Sequence, residues 1–265
     1  SEFDPGATST ANARGLLPDS EEQIFYWYGQ STQFGGPQTR LAANTQLLAA
    51  PYTAVFQTSS IGSPQVTTYT TISAEVDNYL YLQQLLSTQS QSNTGSQLSR
   101  PQAWAKNIVS VGAVDHFNTL ARADDTWGGA SFGPAADGRI KPDIMFFYDL
   151  TFAASNTSNV SYTEFGGTSG ATPSCGGYFG LFHQMWHEGA WAGRGGASTV
   201  FASRPKPTTA KAALCNTSFR YNWLLGGANA NITRVVQGWG MPDFQNLYAG
   251  RAETFIVDED DVIAP

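Results

Sequence analysis

Gly166-Gly167-Thr168-Ser169-Gly170-Ala171-Thr172-Pro173 sets one hydroxyl nucleophile among small residues at the start of an expected helix. Small neighbours let a substrate backbone approach, and a helix N-terminus favours developing negative charge. Pro173 has no backbone N–H, so the sequence places it in the first turn of that helix. Taken alone, such a string also suits an ordinary loop. The segments around it decide between the two readings.

The chain has 265 residues, enough for one large α/β domain with a substantial core. Charged residues make up 13% and aromatics 13%, with 27 glycines and 13 prolines, which describes a compact, loop-rich protein rather than a disordered tail or coiled coil. The net charge is -7 and no basic stripe is present, so nucleic acid is excluded as an expected partner. No apolar run reaches the roughly 18 residues that would predict a membrane span.

Working outward, Ile24-Phe25-Tyr26-Trp27-Tyr28 reads as a buried strand, followed by a helix over 39–50. Ala54-Val55-Phe56-Gln57-Thr58 is a second strand leading into Ser60-Ile61-Gly62. A helix is expected over 73–86, a strand over 85–89, and a polar loop over 90–95. Ile108-Val109-Ser110-Val111-Gly112-Ala113-Val114 is the clearest strand, and further helices are expected over 173–187 and 208–214. Strands alternating with helices predict a mostly parallel sheet covered on both faces.

Six segments in collinear order resemble the subtilisin-like serine proteases, the subtilases. They are Ser60-Ile61-Gly62, residues 90–95, residues 107–114 with Gly138-Arg139-Ile140-Lys141-Pro142-Asp143, residues 166–173, residues 207–214, and Gln237-Gly238-Trp239-Gly240. The resemblance implies an α/β, three-layer subtilisin-like fold with a mostly parallel sheet between helices, over residues 1–255. Residues 256–265 are then an acidic, solvated linker toward a C-terminal extension.

The resemblance also implies roles. Ser169 would be the nucleophile, and Asn93 the side chain that stabilises the oxyanion together with the Ser169 backbone N–H. Ser60, Ile61, Gly62, Ser90, Gln91 and Ser92 would flank the substrate peptide as an added strand, with Gly167 and Thr168 shaping the space around the residue before the cut bond. Read from the residues alone, Asn93 equally suits a turn before Gly95. Several positions depart from the family pattern: Gly170 stands in place of Met, Ser92 in place of Gly, Gln91 in place of a small residue, Met145-Phe146-Phe147-Tyr148 in place of Ala-Pro-Gly, and Phe132 in place of an arginine. Together they imply a narrowed substrate site or a retired one.

The family's Asp and His should both precede the first strand recognised here, and Arg14-Gly15-Leu16-Leu17-Pro18 resembles the lead-in that follows the His-bearing helix. An N-terminal segment of the same protein is therefore the expected partner, alongside a polypeptide substrate. A serine without a base is a poor nucleophile. His116 sits on a connection that the resemblance places away from the groove. His183 and His187 lie 14 and 18 residues beyond Ser169, roughly 21–27 Å along a helix. Their i, i+4 spacing can bind zinc with further ligands, but Trp186 between them favours packing, and no metal site or cofactor is assigned; structural calcium stays open. Cys175 and Cys215 read either as two buried thiols or as a disulfide. Four glycosylation sequons, at Asn156, Asn159, Asn216 and Asn231, point to a secreted, extracellular glycoprotein. Two functions follow: a serine endopeptidase acting through Ser169, or an inactive subtilase-fold module that binds or scaffolds in an extracellular assembly.

Overall fold

The computed structural model describes residues 15–17, 20, 40–158, 160–223 and 233–261. The strand expected over 24–28 lies outside the described residues, as do the sequon asparagines Asn159 and Asn231. The described elements run α1 (Arg40–Leu48), β1 (Phe56–Ser59), α2 (Thr71–Gln83), β2 (Leu86–Ser90), β3 (Val109–Val114), β4 (Ile144–Phe147), β5 (Thr151–Ala154), β6 (Tyr162–Phe165), α3 (Thr168–His187), α4 (Val200–Ser203), α5 (Pro207–Thr217), α6 (Arg234–Gln237) and α7 (Phe244–Ala249). Strands β1 to β4 form one parallel sheet in the order β1-β2-β3-β4, and β5 and β6 form a separate antiparallel hairpin.

The sheet is covered on both faces, as an α/β architecture requires. On one face Leu86, Val109, Val111 and Ile144 pack against Ala171, Cys175, Phe179 and Phe182 of α3, with Ala210 and Leu214 of α5 beside them. On the other, Val76, Tyr79 and Leu80 of α2 cover Leu85 and Ile108. α3 touches all four strands. It lies close to β1 because it is lined with glycine: a Cβ at Gly176 would stand 3.3 Å from the Phe56 ring. Among the described residues α2 is the only helix that serves as a crossover between consecutive strands of the sheet. The β2–β3 and β3–β4 connections run as long turns and loops, so the expected strand–helix alternation holds for one crossover only. The helix expected over 73–86 stops at Gln83, and Leu86 begins β2 instead.

Pro173 is not in the first turn. α3 begins at Thr168, and Pro173 lies inside it as the sixth residue. The proline removes the N–H that would otherwise bond to the Ser169 carbonyl one turn earlier. Ser60 Oγ, arriving from the end of β1, donates to that carbonyl at 2.9 Å in its place.

β3, β4 and α5 are joined by one buried carboxylate. Asp143 accepts hydrogen bonds from Ser110 N (2.8 Å) and Ser110 Oγ (3.0 Å), and pairs with Lys141 Nζ (2.8 Å) and Lys211 Nζ (2.9 Å). Burial by itself would raise the Asp143 carboxyl, but the two lysines outweigh it and hold the group far below the carboxylate range. Lys141 is lowered to about 8 chiefly by burial, with Asp143 opposing. Removing one member strands the others in a dry interior. Asp143→Asn is therefore expected to destabilise the fold by about 3–5 kcal/mol in chemical denaturation; a loss under about 1 kcal/mol would mean that water reaches the network.

Candidate functional site

Ser169 is the second residue of α3, and the helix enters through Gly167, whose φ of 83° and ψ of 172° are conformations that glycine adopts without strain. The first N–H groups of a helix have no partner within it. Here Thr168 N donates to Asn93 Oδ1 at 2.9 Å, and Thr168 Oγ1 donates to the same oxygen at 2.8 Å. Thr168 Oγ1 in turn accepts from Ser92 N at 3.2 Å. Because two donors face Oδ1, the Asn93 amide has only one sensible orientation. Its Nδ2 points along Gly167, 3.1 Å from where a Cβ would sit. Asn93 is exposed, and Nδ2 donates to no protein atom among the described residues. An unpartnered amide N–H pair therefore flanks the entrance to the helix that carries Ser169.

The structure brings the expected site residues together. β1 and β2 pair in parallel as far as Ser59↔Gln89. Beyond that point Ser60, Ile61 and Gly62 run on one side and Ser90, Gln91 and Ser92 on the other. Gln91 N still donates to Val111 O of β3 (3.1 Å), and Ser131 N donates to Ser92 O (2.7 Å). The two walls are thus the diverging ends of neighbouring parallel strands, where α/β proteins open their crevices.

β2 departs from sequence expectation. All five of its residues, Leu-Ser-Thr-Gln-Ser, are buried, and the burial continues through Gln91 and Ser92. The sequence reads 90–95 as a polar loop; instead Ser90 ends β2, and Gln91 and Ser92 after it stay buried. Gln89, Arg100 and Gln102, which sequence reasoning missed, line this region: Gln89 Nε2 donates to Ile61 O (3.1 Å), Arg100 Nη1 to Gly62 O (2.9 Å), and Gln102 Oε1 accepts from Ser63 N (3.1 Å). The available signal was the run of uninterrupted polar residues, 87–92, between apolar Leu85-Leu86 and the next apolar stretch. Gly170 has a local explanation. A side chain there would meet the Phe165 ring at 3.3 Å and Thr151 Oγ1 at 3.4 Å. The β5–β6 hairpin fills the space that a larger residue would need.

All three histidines have partners other than Ser169. His116 Nδ1 lies 2.6 Å from Asp149 Oδ1, with its ring stacked on Phe147 at 4.3 Å. His183 Nδ1 bonds Phe179 O at 2.7 Å, and His187 Nδ1 bonds Ser203 Oγ at 2.8 Å. Cys175 and Cys215 are free thiols; Cys175 is buried, and burial raises Cys215 to about 12. At the far end, Asp258 and Asp261, read as part of a solvated acidic run, are tied down: Asp258 accepts from Lys206 N (3.2 Å) and Thr209 Oγ1 (2.6 Å), and Asp261 pairs with Arg194. No helix among the described residues is long and apolar enough to cross a membrane.

A model of the subtilase family matches residues 32–240. Among solved structures, the chain is similar to the prenylagaramide maturation protease PagA, with a TM-score of 0.58 and 16% identity over 80% of this chain and 66% of that one. It is also similar to the PatG macrocyclase in complex with peptide, with a TM-score of 0.58 and 15% identity over 80% of this chain and 56% of that one. The patellamide maturation protease PatG gives a TM-score of 0.56 at 14% identity, over 80% and 55%. At such identities the likeness is one of fold, the subtilisin-like α/β architecture expected from the sequence. The chain spans between 55% and 66% of the length of these three structures. No curated protein sequence matches it.

His183 sits on α3 between Phe56 and Phe182, and burial lowers it to about 4, against a weaker upward pull from the Phe179 carbonyl. Between about pH 6.5 and 4 the unfolded chain therefore binds the extra proton. Its contribution is fully present above that window and is lost as pH falls through it, by about 3 kcal/mol. Urea denaturation of the parent should show this fall, and His183→Leu should flatten it; equal slopes would rule out His183 as the titrating group.

Proposed function

The chain belongs to the subtilase family, and on that premise we propose that it is the serine- and asparagine-bearing part of a serine endopeptidase. Substrates are polypeptides bound in extended form between residues 60–62 and 90–92. The observation that carries this reading is the Asn93 amide: its oxygen is fixed by Thr168, while its Nδ2 has no protein partner among the described residues at the mouth of the Ser169 helix. A stabiliser of developing charge must be held before the reaction and free to donate during it.

In this mechanism Ser169 Oγ bonds to the scissile carbonyl carbon as its proton passes to a histidine base. The carbonyl oxygen becomes an oxyanion that accepts from Asn93 Nδ2 and Ser169 N. The C–N bond then breaks, the histidine returns the proton to the leaving amine, and an acyl group remains on Oγ until water hydrolyses it. The base and its orienting Asp are supplied by a preceding segment of the same protein, since His116, His183 and His187 are each engaged elsewhere. Exposed Asn156 and Asn216 fit a secreted, glycosylated protein. The commitment of all three histidines also favours a second reading, in which the fold is kept as an extracellular binding or structural module without hydrolysis.

A fluorophosphonate probe separates the two. The full-length protein should be labelled at Ser169, and Ser169→Ala should abolish labelling. Asn93→Ala should slow labelling or peptide hydrolysis by about 10²–10³-fold. A folded full-length protein that contains the Asp and His yet stays unlabelled would establish the binding module.

A further inference from the structure

Where residues 60–62 lie beside residues 90–92, buried side-chain atoms lack hydrogen-bond partners. Gln91 is fully buried, at 0% exposure, yet neither its Oε1 nor its Nε2 is hydrogen-bonded. Leaving a buried amide unpaired costs about 1–3 kcal/mol, so such a group marks a place where a partner is expected. Gln89 and Gln91 are two residues apart on an extended strand and share a face. Gln89 Nε2 reaches the Ile61 carbonyl, so that face looks toward Ile61.

Arg100 approaches the same place from the opposite side. Its Nη1 donates to Gly62 O at 2.9 Å, and its Nε is buried without a partner. A Cβ on Gly62 would stand 2.8 Å from Arg100 Cδ and 2.5 Å from Gln102 Oε1, which shows how closely these side chains crowd the wall. Ser99, next to Arg100, donates through Oγ to the Gln91 backbone carbonyl and so holds the two stretches of chain side by side. Among the described residues no carboxylate lies within ion-pair distance of Arg100.

We infer that Gln91 and Arg100 form a specificity-determining subsite for a carboxylate side chain, Asp or Glu, at the substrate residue immediately before the bond cut at Ser169. The inference rests on the peptidase reading above for the course of the substrate. A carboxylate accepts from Arg100 Nε and Gln91 Nε2 and compensates a guanidinium that has no counter-charge. A carboxamide would satisfy the donors but leave the charge, and a lysine or arginine would be repelled. Asn93, two residues beyond Gln91, puts the oxyanion position beside this subsite.

The test uses the full-length protein with Ser169→Ala and two fluorescein-labelled peptides, Ala-Ala-Ala-Glu-Ala-Ala and Ala-Ala-Ala-Gln-Ala-Ala, read by fluorescence anisotropy. The Glu peptide should bind about 10–100-fold tighter, the range of a charge-assisted hydrogen bond. Arg100→Gln should remove that preference, while Arg100→Lys should keep part of it; circular dichroism checks that each variant folds. Equal affinity for the two peptides, or no binding of either, overturns the proposal without recourse to any variant. Fluorophosphonate labelling of the unsubstituted protein scores hydrolysis separately. A labelled protein with no Glu preference loses the carboxylate subsite alone, and an unlabelled protein that prefers Glu loses hydrolysis alone.

Discussion

The Ser169 carbonyl is the hinge of the arrangement. Pro173 denies it the usual intrahelical donor, and the Ser60 hydroxyl from the end of β1 supplies the replacement. A buried carbonyl without a donor is costly, so the helix entrance and the β1 wall hold each other in register. On the other flank Asn93 performs the complementary task, accepting the N–H that the same helix leaves unpaired at Thr168. The two walls are thereby tied to one helical turn through its two kinds of orphan group, a carbonyl freed by proline and an N–H freed by the helix terminus. Neither tie is hydrophobic, and both are directional. The position of Ser169 between the walls thus follows from hydrogen-bond geometry rather than from packing alone.

That directional frame is set on an apolar base. α3 rests on all four strands, and its glycines allow the approach that brings Ser60 within reach of Ser169. The Asp143 network works at the opposite end of β3 from the site and fixes where β4 begins. From β4 the chain passes through the hairpin, whose Phe165 ring packs against Gly170. A further bond, from Gly167 N to Tyr148 O at 2.7 Å, fastens the glycine turn to the residue just past β4. Each element that surrounds the serine is therefore secured to the sheet by at least one bond outside the core.

Much of this was legible in the residues, and the failures have physical causes. β3 is apolar and β-branched and could be read directly. The candidate site residues came from motif order, and their proximity follows from parallel strands ending side by side. Pro173 was misplaced because a proline inside a helix is tolerated only when a distant group takes over the freed carbonyl, and a serine 109 positions away leaves no local trace. β2 was placed one residue early, ending at Gln89 rather than Ser90, because polar runs normally signal loops. Here tertiary burial overrode the pattern, and part of the polarity is satisfied by the Ile61 backbone carbonyl, which accepts from Gln89, and by the Ser99 hydroxyl, which donates to the Gln91 carbonyl. The hairpin was missed because Thr151–Ala154 and Tyr162–Phe165 are short and half-exposed, with weak alternation.

The same overridden pattern bears on chemistry. A strand buried over its whole length and built from Ser, Thr and Gln is a poor way to stabilise a core, since apolar residues of similar volume would serve without desolvated amides. Thr88 spends its hydroxyl on the α3 carbonyl of Thr172, and Gln89 on the carbonyl of Ile61. The Gln91 amide has no such use among the described residues. Stability therefore does not account for Gln91, whereas Asp143, equally polar and buried, is fully accounted for by its four donors. Asp143 is thus explained by the architecture, whereas the burial of Gln91 is not explained by any hydrogen bond among the described residues.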